Sequence, residues 1–492
     1  MSAGSPPPTT ASCPPSRSPR WRGRAAMRDL FVVGIVLASL PITLIRPWVG
    51  VLAWTWLSLM SPHRYCWGFA TTFPVAELVA IATLVGCLST ADRQPIPRVW
   101  QVGVLVCLWS LFGITTTVAF NPDPAFYQLI EVSKVLVMTF ATVVLINDRR
   151  KLFYWVVVIA LSLGLVGLKG GIFTLLTGGQ HRVYGPPGTF IGDNNDAALA
   201  LCMTLPFLYF LPRLVRGLDL GRWWAWLGRA APVLTLFTAI AVVGTYSRGG
   251  FITLAVVLVA LTWRSRYRVV VAGVMVIAVV VGAGMVTIQW KARMGTIETA
   301  EEEDSSFRGR LGAWEGARNI ARARPFTGGG FHAFQGWVWD AYFPPEGQGH
   351  DVHSIYFEML GEHGYPGLAI FLLLLGGSFL QAERMRRRAR RLGNTEVETY
   401  GAIIQIALAA YAVGGAALGK AYWDYFYDLI ILLVLVHTLL PLAADGPAAD
   451  EAGVAGVAAA TVARWRPPER PRGGSPPPRV ARWAVGSPRR GA

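Results

Sequence analysis

The sequence predicts an all-α integral membrane protein, a polytopic bundle of about twelve or thirteen transmembrane helices with one large loop on a single face. Three observations predict it. Hydrophobic side chains make up 53% of the 492 residues and charged ones only 15%, where a soluble domain carries about 25% charged residues. Apolar runs long enough for a crossing helix, about 20 residues each, recur along most of the chain. Lipid cannot satisfy backbone polar groups, so runs of this kind must be helical.

Residues 1–26, rich in Pro, Ser and Arg, read as a disordered tail, with Met27 as an alternative start. This is not a secretory leader, because the apolar run behind it continues into further spans without a small-residue cleavage site. The N-terminal transmembrane region, 27–288, holds apolar runs at 29–45, 47–61, 75–91, 101–119, 129–147, 152–176, 197–212, 231–247, 249–263 and 268–288. Arg46-Pro47 reads as a kink or break between the first two. A large loop, 289–352, follows, and then a C-terminal transmembrane region, 353–443, with runs at 365–381, 400–419 and 426–443. Residues 444–492, rich in Ala, Pro and Arg, read as a second disordered tail.

The net charge of +16 is explained by where it sits. Five arginines lie between Arg17 and Arg28, six between Arg384 and Arg391 and eight between Arg464 and Arg490, beside the apolar runs. That is the pattern of positive charge retained in the cytoplasm, and no nucleic-acid-binding motif competes with it. The basic connectors "NDRRK", "LPRLVRGLDLGRWW", "WRSRYR" and "ERMRRRARRL" are therefore cytoplasmic. The loops 62–74 and 177–196, the turn "YSRGG" and the segment 289–352 then face outward together. Thirteen full crossings would put the N-terminal arginines outside, so the first pair of runs makes one crossing or has other bounds. The five scattered cysteines include no CxxC or Cys/His metal spacing and predict neither a disulfide framework nor a zinc site.

The outward face collects the unusual residues. In "GHDVHSIYFEMLGEHGYPG", Tyr356, Phe357, Leu360 and His363 recur at helical spacing. This predicts a helix from about Val352, capped by Asp351 and ended by Gly364 and Pro366. His353 then lies in the first turn, where the helix dipole favours a neutral, proton-accepting ring. The same position suits a plain interfacial cap. Arg248, in "VGTYSRGGF", is the single charge between two apolar spans, either a functional intramembrane arginine or one that snorkels to headgroups. Gly249 and Gly250 favour a tight turn that would hold it at the mouth of the bundle.

In the large loop, Trp314, Ala317, Ile320 and Ala321 are spaced as on an amphipathic helix, preceded by Arg308 and Arg310 and stopped by Pro325. The planar fork of an arginine pair matches pyrophosphate oxygens. Arg318, Arg322 and Arg324 read as surface charge, and "TGGGF" is no phosphate-binding Walker loop, since no GK[ST] follows. Trp337, Trp339, Tyr342 and Phe343 suit stacking on sugar rings or an aromatic belt at the membrane surface. The loop "GGQHRVYGPPGTFIGDNNDAA" adds Arg182, Asp193, Asn194 and Asn195.

With these residues in view, the sequence resembles the O-antigen ligase and polymerase superfamily of bacterial inner-membrane glycosyltransferases. His353 and Ser354, nine residues, Gly364, two residues and Gly367 match that family's His-(Asn/Ser/Gln) and Gly-x-x-Gly pattern. "SRGG" resembles its arginine at the head of a span, and "RGRLGAWEGARNIARARPFTGGGF" its Arg, Trp and Pro-x-x-Gly-x-Gly loop pattern. "RDLFVVGIVLASLPITLIRPWVGVLAWTWLSLMSPHRYCWGF" is similar to the O-glycosylation ligases associated with the exosortase A system, and the likeness extends over about 27–443.

The resemblance implies transfer of a glycan from an undecaprenyl-pyrophosphate carrier to a hydroxyl of a protein or lipid acceptor, at the periplasmic face of the bacterial inner membrane. It implies inversion at the anomeric carbon and no metal, nucleotide or other cofactor. His353 becomes the catalytic base, and Arg248 and Arg310, with Arg308 and Arg182 in support, the residues that bind pyrophosphate. Trp337, Trp339 and Tyr342 become candidate glycan contacts, while His350 and His363 fall outside the motif and read as structural. A polysaccharide polymerase would share this fold and site and would differ only in its acceptor. A lipid-linked glycan transporter would need alternating access, and neither internal repeats nor mid-membrane polar breaks point to one.

Overall fold

The computed structural model describes residues 19–218, 221–264, 273, 298–347, 349 and 351–442. Its described residues are helical with no strand. In chain order the helices are α1 (Pro19–Ile45), α2 (Pro47–Met60), α3 (Val75–Ser89), α4 (Trp100–Thr117), α5 (Pro122–Leu145), α6 (Arg149–Leu176) and α7 (Asn194–Gly217). They continue with α8 (Arg222–Gly244), α9 (Arg248–Arg264), α10 (Glu298–Ala323), α11 (Val338–Tyr342), α12 (Ile355–Arg391), α13 (Thr395–Gly414) and α14 (Asp424–Leu439). Each expected apolar run among these residues is a helix; the run 268–288 and the tail 444–492 lie outside the described residues.

Eight of the described helices are long and apolar enough to cross a bilayer. The first two runs break where the proline was expected to break them: α1 ends at Ile45 and Pro47 opens α2. The 14 residues of α2 and 15 of α3 rise only about 1.5 Å each, which leaves both short of a hydrocarbon core of about 30 Å. At the other end of α1, residues 19–26 of the expected disordered tail are helical, and residues 1–18 lie outside the described residues. Helix begins at Pro19, a residue suited to a first turn, and "WRGRAAM" behind it is rich in helix formers.

The centre of the bundle is built from α6, α7, α13 and α14. Of the apolar window in α7, 83% is buried, against 22% in α1, so α7 is packed on all sides while α1 turns most of its surface to lipid. Trp155, Phe207, Phe210, Tyr400, Tyr411 and Phe426 are fully buried there. Tyr411 stacks on Phe426 with ring centroids 4.7 Å apart.

Connectors from both halves of the chain gather at one end of the bundle. Phe120 N–H donates to Gly329 O (2.8 Å), Val183 N–H to Gly244 O (2.8 Å), and Ala421 N–H to the Glu358 carboxylate (2.9 Å). All four non-glycine residues with positive φ among the described residues, Ser61, Tyr246, His332 and His353, lie in connectors of this kind. The basic connectors meet at the opposite end, where Arg149 pairs with Glu396 (2.8 Å) and donates to Gly217 O (2.9 Å).

The long segment before His353 is more helical than its spacing implied. α10 begins at Glu298, so Arg308 and Arg310 lie within it instead of preceding it. Its acidic opening sequence, "ETAEEED", is what the positive end of a helix dipole favours. As expected, the helix ends just before Pro325.

Candidate functional site

The head of α12 is displaced from its expected position. Helix begins at Ile355 with Ser354 in the cap position, and His353 precedes it at φ 43°. His353 is therefore not in the first helical turn. The reason is local: Trp314 Nε1 donates to Val352 O (2.9 Å), and Asp351 Oδ1 accepts from Val352 N–H (2.8 Å) instead of capping the helix. The His353 ring is about half exposed, at 47%, with Nδ1 3.6 Å from Asp351 Oδ2. A non-glycine residue held at positive φ is the kind of strain that collects at functional sites.

The glycines of the motif have separate structural causes. Gly364 interrupts α12 at φ 65°, ψ −166°, and a Cβ there would lie 2.5 Å from Pro325 O. A Cβ on Gly367 would meet the His363 side chain at 2.3 Å. His363 is fully buried, bonded through Nδ1 to Thr115 Oγ1 (2.7 Å) and enclosed by Phe112, Phe331 and Tyr422. Its place is structural, as its position in the sequence implied; His350 lies outside the described residues. "TGGGF" serves the same kink. Gly329 N–H and Gly330 N–H donate to Gly361 O and Glu362 O, both at 2.8 Å, and a Cβ on Gly328 would strike that backbone at 2.6 Å.

Arg248 is the first residue of α9, exposed at the mouth of the bundle. The sharp turn is made by Tyr246 at φ 57°, not by the two glycines. Ser247 Oγ caps α9 by accepting from Gly250 N–H (3.0 Å). Gly250 is small because α7 passes close by, where a Cβ would lie 2.5 Å from that of Ala198. Asn194 Nδ2 donates to Thr245 O (2.9 Å) and Asp193 caps α7, which gives these two residues positioning roles.

Arg310 meets the Ser247–Gly250 turn at a cavity of about 30 Å³ that Asn195, Gly414 and Leu418 also line. Half buried, Arg310 makes no hydrogen bond or ion pair with a described residue. The connector that closes the cavity at Leu418 passes on to Gly419, whose Cβ position is 3.5 Å from Asp351 Oδ2. Arg248, Arg310 and His353 are thus gathered around one connector. Arg308 and Arg182 are exposed near them, Arg182 beside Val183, which is bonded to the end of α8. The aromatic residues take another place. Trp337 and Tyr342 pack on Phe120 (5.2 and 5.5 Å), and Trp339 joins a small core with Ala313, Ile320 and Phe343.

Sequence reasoning missed the charges that line the same connector. Lys420 pairs with Asp196 at 2.9 Å, both largely buried. Glu362 accepts from His332 N–H (2.8 Å) and Tyr422 O–H (2.5 Å). Lys420 had a readable signal, as a lone cation between two apolar spans; the pairing did not. Burial lowers the His332 pKa and keeps its ring neutral. Removing the Glu362 carboxylate leaves the buried Tyr422 O–H and the partly buried His332 N–H without their acceptor. Glu362→Ala is expected to destabilise the protein by about 2–4 kcal/mol and Tyr422→Phe by about 1 kcal/mol, measured by thermal unfolding in detergent.

Fold and site together define a polytopic helical membrane protein with a charged, arginine-bearing site at one end of its bundle. Residues 233–372 match the family described as O-antigen ligase, and residues 27–205 match a family of unknown function, DUF5935. Comparison with curated proteins gave no match. The first match contains Arg248, Arg308, Arg310, His353, Gly364 and Gly367. It supports the O-antigen ligase superfamily, and with it a membrane glycosyltransferase-like ligase that handles a lipid-linked glycan and an acceptor.

Proposed function

We propose that this protein transfers a glycan from an undecaprenyl-pyrophosphate carrier to a hydroxyl of a protein or lipid acceptor, on the periplasmic side of the inner membrane. The observation that carries this reading is Arg310, a half-buried guanidinium with no described partner, set against the Arg248 turn. Such a cation is ready to receive phosphate oxygens.

The acceptor oxygen attacks the anomeric carbon as the bond from that carbon to the pyrophosphate oxygen breaks, with inversion. His353 takes the hydroxyl proton. The Asp351 carboxylate lies 3.6 Å from Nδ1, so its charge offsets the positive charge that the ring gains as it takes the proton. The pyrophosphate departs on its lipid as an anion that Arg248 and Arg310 stabilise, with Arg308 and Arg182 drawing the donor in. Trp337 and Tyr342 would meet the glycan further along, from the rim around Phe120.

The test uses purified protein in liposomes with labelled carrier-linked glycan and membrane extracts as acceptor, with EDTA present and nucleotide absent. Label is expected in a lipid or protein acceptor, and Arg310→Ala should lower the rate about 100-fold. Label confined to lengthened carrier-linked chains would identify a polymerase instead. Glycan that crosses the bilayer without transfer would overturn the enzyme reading.

A further inference from the structure

A large cavity lies at the other end of the bundle. α9 begins at Arg248 beside the site described above and ends at Arg264, and its far half forms one wall of a cavity of about 1650 Å³. That wall is apolar: Val256, Val259 and Trp263 recur at helical spacing, with Val259 and Trp263 strongly exposed. The mouth is cationic. Among the described residues, Arg213, Arg264, Arg386, Arg387, Arg390 and Arg391 line it against two acids, Glu383 and Glu398.

Pairing does not account for this charge. Glu383 is shared by Arg386 (2.9 Å) and Arg387 (2.5 Å), while Arg390 and Arg391 meet no carboxylate among the described residues. Arg264 donates to Gln405, yet its Nε is buried with no partner. Arg213 sits over the Phe210 ring at 5.0 Å, which fixes its position without neutralising it. Positive charge kept at a membrane surface for topology needs no cavity and no apolar wall. Here both are present, and the volume exceeds the roughly 300–1,000 Å³ of a drug-sized ligand site.

We infer that this cavity binds an anionic phospholipid, its phosphate headgroup among Arg213, Arg390 and Arg391 and an acyl chain along the Val256–Trp263 face of α9. Basic pockets between transmembrane helices recognise such headgroups by this combination of charge and apolar contact. The site is separate from the one proposed for glycan transfer and does not depend on that reading.

The experiment is thermal unfolding of the purified full chain in a neutral detergent, with added phosphatidylglycerol, phosphatidylcholine of matched chains, or inorganic phosphate. Phosphatidylglycerol is expected to raise Tm by several degrees, and the other two to leave it in place. The double variant Arg213→Gln/Arg390→Gln changes exposed side chains, so it should fold with unaltered Tm in detergent alone and lose the response. The separate single variant Val259→Asp, on the apolar wall, should also remove the response. An equal shift with phosphatidylcholine or with inorganic phosphate would overturn the inference. So would an undiminished response in the double variant, which would place the responsible cations elsewhere, such as among the arginines of residues 464–490.

Discussion

His353→Ala is expected to lower glycan transfer by about 100- to 10,000-fold while leaving the fold intact, since a positioned general base contributes about that factor. The separation of activity from stability follows from where the residue sits. The ring is about half exposed and its polar contact is Asp351 at 3.6 Å, too long for a strong hydrogen bond. Its backbone, at φ 43°, lies in a region that side chains adopt at a cost of about 1–2 kcal/mol. His353→Gly should therefore unfold at the same or a higher temperature than the wild type while losing transfer equally. A residue that served only as a helix-entry cap would behave otherwise: its removal would lower Tm and leave the rate of transfer per folded molecule unchanged. The measurement is initial transfer rate per folded protein, with unfolding followed in the same preparations.

Gly364→Ala should have the largest effect on stability, about 3–5 kcal/mol or failure to fold, because two costs combine. The conformation at φ 65°, ψ −166° is essentially reserved for glycine, and the new Cβ would lie 2.5 Å from Pro325 O, a backbone atom tied in turn to Tyr365 N–H. The damage would spread to the site, since the kink is where the "TGGGF" segment docks and where Glu362 holds His332 and Tyr422. Gly376→Ala provides the comparison. That glycine lies in the same helix with open space around its Cβ position, so alanine should stabilise by about 0.5–1 kcal/mol through helix propensity. Unfolding in detergent of the two variants beside wild type decides the matter; equal Tm values would remove the role assigned to the kink.

Much of this molecule is written locally in its chain. Hydropathy marks the described helices that are long enough to cross a bilayer, because membrane insertion selects about 20 apolar residues at a time; it does not mark the polar α10. Arg46-Pro47 and Gly364 end helices through their own backbone preferences, so those breaks were legible too. Arg248, Arg310 and His353 were legible as candidates because a charge or titratable ring among apolar spans is costly and must have a reason.

What tertiary structure alone decided is where those groups meet and what completes them. Lys420 and Asp196 lie far apart in the chain, as do Glu362 and Tyr422, and no periodicity records which buried acid finds which donor. The position of His353 changed for the same reason. Its spacing described a helix, but the Val352 carbonyl is taken by Trp314 from another element, and the chain turns through positive φ before the helix begins. "TGGGF" and Gly250 carry their meaning only in contact, as the places where one backbone passes too close to another for a side chain. Helix formation is an energy of neighbours in sequence, which the sequence by itself determines. The partners of a buried charge are neighbours in space, fixed only when the whole bundle closes and leaves each polar group no water to choose instead.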